Sequence, residues 1–246
     1  MSIDGDHDIE GLRCAGAAVA EARDAMARQI RPGITTAELD EIGREALARR
    51  GARSAPQLAY GFPGTTCISV NDEVAHGIPS ATRVLQEGDL VNIDVSAELD
   101  GYWADTGASY PVGTVSARAR YLLHATREAL NAAIAEARAG QLINRIGRAV
   151  QQCARRYGLR VIRNLGGHGV GRHIHEEPPV PNFPDSRNHA RLHEGLVITI
   201  EPFLTTGATR AVEAEDGWTL RTLDGSLGAQ FEHTLIITRG RPIIVT

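Results

Sequence analysis

The sequence predicts an α+β fold of two halves, each a pair of helices followed by β-strands, packed around an approximate two-fold axis. Three observations predict it. Two alanine-rich helical blocks are each followed by β-like segments. The blocks match one another at a fixed offset of 107 residues. The same offset, without a gap, lays EGDLVNID (Glu87–Asp94) on EGLVITIE (Glu194–Glu201), and both octamers begin Glu-Gly and end an apolar strand pattern with a carboxylate.

In the first block, roughly Asp8–Ile30 and Thr35–Arg50 carry apolar residues at helical spacing. Thr35 and Glu38 form an S/T-x-x-E capping box, and Gly51 is a stop. The second block spans roughly Ala117–Ala139 and Gln141–Tyr157, stopped by Gly158. Glu21, Ala22, Ala25, Arg31, Gly33, Arg49 and Gly51 match Glu128, Ala129, Ala132, Arg138, Gly140, Arg156 and Gly158. Alanine-rich helices alone yield coincidences, but a strand match on the same diagonal makes internal duplication the better reading. It puts Asp94 and Glu201 in equivalent places near the axis. A chain of 246 residues supports one substantial core. A single domain over 1–246 is therefore expected, with internal halves of roughly 8–111 and 117–238. The stretch His175–His193, rich in Pro, Asn, Asp and His, reads as one long loop of the functional kind.

Composition excludes several functions. A formal charge of −4 leaves no electrostatic footprint for nucleic acid. Every basic residue is arginine and there is no lysine, which removes Schiff-base, pyridoxal-phosphate, P-loop and kinase-lysine chemistry together. The start, MSIDGDHDIEGLRCAG, lacks the basic and apolar regions of a signal peptide, and no apolar run could span a bilayer. Cys14, Cys67 and Cys153 are odd in number and without a CxxC pattern, which reads as buried or site-lining thiols in a reducing compartment.

The chemistry begins at a hairpin. Leu90–Val95 is a strand, Asp100-Gly101 a type I′ turn signal, and Tyr102–Tyr110 the return. With that turn Asp94 faces Gly107 and lies diagonal to Asp105 on one face, shared with Asn92 and Ser96. Val91, Ile93 and Val95 point the other way. A lone strand Asp is by default solvent-facing, but two carboxylates side by side destabilise a sheet unless a cation lies between them. Glu201 and Glu232 each end or interrupt a β-branched run, LVITIE and QFEHTLIIT. Either is an edge-strand residue facing water or a buried, metal-bound one. Four histidines attract attention: His76 in NDEVAHGIP, and His168, His173 and His175 in GGHGVGRHIHEEP. Only one of them is expected to coordinate metal.

Asp94, Asp105, Glu201, Glu232 and His168 make four carboxylates and one imidazole, a set that balances two divalent cations. One carboxylate would bridge the ions. Oxygen-rich ligands suit Mn, Fe or Co, with Zn a further candidate, better than a closed thiolate site does. Two such ions about 3.5–4 Å apart can hold a hydroxide at neutral pH.

The segments RPGITTAELD, CISVNDEVAHGIP, GDLVNIDVSAELDGYWADTG, GGHGVGRHIHEEP, VITIEPF and DGWTLRTLDGSLGAQFEHT resemble the pita-bread peptidases, and specifically type I methionine aminopeptidases. They cover most of the chain in the family's order. The resemblance implies the pita-bread fold, two pseudo-symmetric αα/β halves around a curved, mainly antiparallel sheet. It implies that Asp94, Asp105, His168, Glu201 and Glu232 bind two divalent metals. It gives His76 to the substrate's amide nitrogen and His175 to the scissile carbonyl, with Glu201 also a general base toward a metal-bound hydroxide. Phe62, Cys67, His76, Ile174 and Trp218 would line a methionine pocket. The substrates implied are peptides and nascent chains with an N-terminal methionine before a small residue. The setting implied is cytoplasmic and monomeric, with transient ribosome contact and neither membrane nor sequence-specific nucleic acid as partner. The sequence is expected to start at the catalytic domain, without a zinc-binding extension or the helical insertion of type II enzymes.

Two positions depart from the pattern. Ala59 stands where tyrosine is common and Ile174 where an aromatic residue precedes the second histidine, so a looser pocket is expected unless Phe62 or Tyr60 fills the space. Two competing readings are an Xaa-Pro peptidase, which usually carries an added N-terminal domain, and a binding protein that has lost catalysis, which should have lost ligands.

Overall fold

Helices α1 (Asp6–Ala27) and α2 (Thr36–Arg49) open the chain in the computed structural model, which describes residues 1–246. They are followed by β1 (Arg53–Ser54), α3 (Ala55–Tyr60), β2 (Cys67–Val70), β3 (Glu73–Ala75) and the hairpin of β4 (Leu90–Leu99) and β5 (Tyr102–Pro111). The second half begins with α4 (Ala117–Glu136), α5 (Asn144–Arg156), β6 (Arg160–Val161), β7 (Gly166–Gly169), β8 (Glu176–Pro181), β9 (Val197–Ile200) and β10 (Phe203–Thr205). It ends with β11 (Val212–Glu213), β12 (Leu220–Arg221), β13 (Gly228–Gln230), β14 (His233–Ile236) and β15 (Ile243–Ile244). No helix is long and apolar enough to cross a membrane.

Local signals act as expected. Thr35 Oγ1 accepts from the Glu38 amide at 3.1 Å while the Glu38 carboxylate accepts from the Thr35 amide at 2.8 Å, closing the capping box. Asp100 and Gly101 have φ of 50° and 82°, as a type I′ turn demands. Other expectations need correction. The second helix of the second half starts at Asn144, not Gln141, because the Gly140 and Ile143 amides donate to the carbonyls of Leu192 and Ala190 instead of opening a helix. Its predecessor ends at Glu136 rather than Ala139, whose amide donates to Thr238. The presumed loop His175–His193 contains β8, whose three prolines are tolerated because β8 is the edge of its sheet. Cys67 and Cys153 are buried, but Cys14 is exposed on α1.

Every ladder is antiparallel. β4 pairs with β5 on one side and with β1 and β2 on the other. Arg53 pairs with Glu98 and Ser54 with Ala97; 107 residues later Arg160 pairs with Thr205 and Val161 with Leu204. The counterpart of the unbroken β4 is split into β9 and β10, since Pro202 has no N–H to give the ladder. Ile200 pairs with His233 and Phe203 with Gln230, so Glu201 and Glu232 fall opposite one another in the interval.

The helices cover one face of each half. Ala18, Val19, Ala22 and Met26 of α1 and Leu39 and Leu47 of α2 pack on Val91, Ile93 and Val95 of β4. Leu122, Ala125 and Ala129 of α4 and Ile146 and Val150 of α5 pack on Ile198, Ile200 and Leu235. Each fully buried Leu, Ile or Val contributes roughly 1.5–3 kcal/mol. Alternation along the strands then turns Asn92, Asp94 and Ser96 toward the opposite face, where the two halves meet.

Candidate active site

Asp94 lies opposite Gly107 and Asp105 opposite Ser96, so both aspartates share the inner face of the hairpin. Glu201 follows β9, and Glu232 lies between β13 and β14. Neither glutamate is on a wet edge: Glu201 is 8% and Glu232 2% exposed. His168 comes from β7, beside β9. Its Nε2 lies 3.8 Å from Asp105 Oδ2 and 3.7 Å from Glu201 Oε1. Nitrogen or oxygen atoms of Asp105, His168 and Glu232 all fall within 4.8 Å of one another. Asp94, Asp105, His168 and Glu201 line one cavity, and Glu232 meets Asp105 and His168 beneath it, so the five residues form one cluster.

Electrostatics make this cluster costly without a cation. No arginine pairs with any of the four carboxylates. Burial, followed by repulsion from neighbouring carboxylates, pushes Asp94, Glu201 and Glu232 well above the usual range. Burial raises Asp105 to about 6. Asp105 Oδ1 and Glu232 Oε1 are buried with no hydrogen-bond partner, an arrangement that native proteins avoid unless something else binds there. His168 is matched to the same need. Its Nδ1–H donates to the Gly169 carbonyl at 2.9 Å, leaving the Nε2 lone pair toward the carboxylates. Burial, and then His175, lower its pKa to about 3, so the ring is neutral near pH 7. Oxygen-rich donors, a free imidazole lone pair and two orphaned oxygens fit a divalent metal.

Above the cluster is a cavity of about 90 Å³. Phe62, Cys67, His76, Ile174, His175 and Trp218 all line it. Phe62 and Trp218 meet edge to face, with ring centroids 5.2 Å apart at 83°. The pairing of β3 with β12, Ala75 against Leu220, brings His76 and Trp218 to the same wall. His76 has a φ of 54°, unusual for a residue with a side chain, and this turn aims its ring inward. His76 lines the cavity and is solvent-exposed, with the surrounding protein desolvating its ring in part. This desolvation, and then His175, lower its pKa. Burial and the carboxylates push the Cys67 thiol up, so it stays protonated. His173 is exposed and takes no part in the lining.

The expectation for Ala59 fails. It is exposed and off the wall, because α3 ends one residue later and it is Tyr60 that lines the cavity, together with Pro56. Sequence reasoning also passed over Gln230. Its Nε2 donates to Glu232 Oε2 at 2.9 Å, and its Oε1 accepts from Asn92 at 2.8 Å. The available signal was its position two residues before Glu232, on the same strand face.

The profile of metallopeptidase family M24 matches residues 10–239. The chain belongs to metallopeptidase family M24. Among M24 relatives it is 48% identical to methionine aminopeptidase 2 of Bacillus subtilis (strain 168) over 247 residues, covering 100% of this chain and 99% of that protein. Identity to the methionine aminopeptidase of Aquifex aeolicus (strain VF5) is 43%, over 97% of this chain and 96% of that one. The crystal structure of methionine aminopeptidase from Thermotoga maritima superposes with a TM-score of 0.96 at 37% identity, covering 100% of this chain and 99% of that chain. This M24 chain therefore has the pita-bread fold, and the M24 family and the ligand cluster together indicate use of divalent metal.

Proposed function

We propose that this enzyme is a methionyl aminopeptidase, a hydrolase that removes N-terminal methionine from peptides and nascent proteins whose second residue is small. One observation carries the reading: four carboxylates without an arginine partner, three of them buried and Asp94 half-buried, and a neutral imidazole floor a small cavity with Phe62, Ile174 and Trp218 in its wall, in an M24 chain similar end to end to methionine aminopeptidases.

Asp94, Asp105, His168, Glu201 and Glu232 would hold two divalent ions, of which Mn, Fe or Co suit the oxygen-rich donors and Zn is a further candidate. When bound, such ions supply Lewis acidity, activating water and polarising the scissile carbonyl. The remaining work falls to the chain's own groups. Glu201 takes a proton from the attacking water. His175 donates to the carbonyl oxygen as negative charge develops there. His76 contacts the amide nitrogen at the cleaved bond. Phe62, Cys67, Ile174 and Trp218 hold the methionine side chain out of water. Residues 1–246 act as one catalytic domain, because Asp94 and Asp105 come from the half at roughly 8–111 and His168, Glu201 and Glu232 from that at roughly 117–238. A nascent-chain substrate puts the work in the cytoplasm, beside the ribosome.

The test is release of free amino acid from Met-Ala-Ser, Met-Arg-Ser and Ala-Pro-Ser peptides with Mn²⁺ present. Methionine should leave Met-Ala-Ser far faster than Met-Arg-Ser, and Ala-Pro-Ser should stay intact. Preferred cleavage before proline would instead establish an Xaa-Pro peptidase.

A further inference from the structure

We propose that Tyr60 is a positioning residue for His175: its hydroxyl donates to His175 Nδ1 and fixes the tautomer whose Nε2–H faces the cavity. The inference rests on the reading of His175 as donor to the scissile carbonyl.

Tyr60 ends α3, a short helix capped by Ser54, whose side chain accepts from the Gln57 amide. The next residue, Gly61, takes a φ of 69° that a side chain would resist, and the chain then turns inward to bury Phe62 against Trp218. Tyr60 is therefore held between two fixed points at the cavity mouth. From there its hydroxyl meets His175 Nδ1, with ring centroids 5.6 Å apart and planes at 43°. That is the only hydrogen bond to the His175 ring. The contrast with His168 is direct, since the Gly169 carbonyl locks that ring in place. The His175 ring packs against that of His168, with centroids 4.2 Å apart, but no group other than Tyr60 hydrogen-bonds to it.

A neutral imidazole has one N–H, and its partner decides which nitrogen carries it. An ordinary imidazole is mostly neutral at pH 7 and an ordinary phenol is protonated, so the phenol is the donor of the pair. With Nδ1 accepting from the phenol, the imidazole proton resides on Nε2, where a carbonyl donor needs it. Without the hydroxyl the ring is free to rotate and to populate the other tautomer, which offers a lone pair to the carbonyl oxygen and repels it.

The experiment is a double-mutant cycle on a Met-Ala-Ser peptide with Tyr60→Phe, His175→Ala and both together, joined by ¹⁵N NMR of the histidine rings. Tyr60→Phe should lower kcat about tenfold, the rate equivalent of one neutral hydrogen bond, with KM within about twofold. It should cause no further loss once His175→Ala is present, and it should remove the Nε2-protonated signature of one histidine. An unchanged kcat in Tyr60→Phe, or the same loss in both backgrounds, overturns the proposal. Wild-type activity in His175→Ala overturns instead the role given to His175, a result the cycle keeps separate.

Discussion

The amide of Glu232 donates to the carbonyl of Gly107 at 2.8 Å, joining the return strands of the two halves at the centre of the molecule. Across its own hairpin Gly107 faces Asp94, while Glu232 faces Glu201, so the two occupy equivalent places in the repeat. One half has a carboxylate there and the other has none. A Cβ on Gly107 would lie 2.2 Å from Gln230 Oε1. Gly107→Ala should therefore displace Gln230, release Glu232 Oε2 and weaken divalent-metal binding about 10–100-fold, as loss of a supporting hydrogen bond typically does. Calorimetric titration with Mn²⁺ checks this, and an unaltered affinity would mean that Gln230 does not orient Glu232.

Activity and metal-free stability should move in opposite directions at Asp105. The carboxylate is buried, has an unpartnered oxygen and has no arginine partner, only the neutral ring of His168 nearby. Asp105→Asn should cut turnover by at least about 100-fold, yet raise the melting temperature of chelator-treated protein by removing an uncompensated charge. Near wild-type turnover in this variant would remove Asp105 from the ligand set.

The pH dependence of that stability has a definite sign. Asp105 is raised to about 6 from an ordinary 3.8, and Asp94, Glu201 and Glu232 are raised well above their usual values. A carboxyl with a raised folded pKa contributes stability that is full below its unfolded pKa and lost as pH rises through the folded value. His168, lowered to about 3 from 6.5, works the other way only below pH 6.5. Above that pH the carboxylates alone count. Metal-free protein should therefore melt at a lower temperature at pH 8 than at pH 6.5, and Mn²⁺ should raise the melting temperature more at pH 8. Paired melts with and without chelator test it, and equal shifts at both pH values would contradict it.

Side-chain selection should depend on Ile174 and not on Ala59. Ile174 lines the cavity, whereas Ala59 is exposed beside it. An apolar slot separates side chains by only about 1–3 kcal/mol per methylene. Ile174→Phe should narrow the slot and raise the ratio of kcat/KM for Met-Ala over Leu-Ala, while Ala59→Tyr leaves that ratio within about twofold. An altered ratio in Ala59→Tyr alone would place its side chain in the pocket after all.

Much of this site was legible because strand alternation and the 107-residue repeat fix which side chains share a face. Asp94 opposite Gly107 follows from a two-residue turn, and the repeat puts Glu201 in the place equivalent to Asp94, whereas its burial depends on the assembled sheet. The illegible parts depend on long-range partners. β8 is hidden by its prolines, because an edge position that tolerates them exists only once the sheet is assembled. Whether Ala59 or Tyr60 reaches the cavity depends on where α3 ends, a one-residue difference beyond the reach of periodicity. The bridge from Gln230 to Asn92 spans the two halves and has no local signature.

Metal-dependent release of methionine is the most direct test of the whole account. Protein stripped with chelator should release no methionine from Met-Ala-Ser. Titration with Mn²⁺ should restore release and saturate at no more than two equivalents per chain. Full activity in the stripped protein, or none after metal is restored, would contradict the assignment of Asp94, Asp105, His168, Glu201 and Glu232 as a metal site for methionine removal.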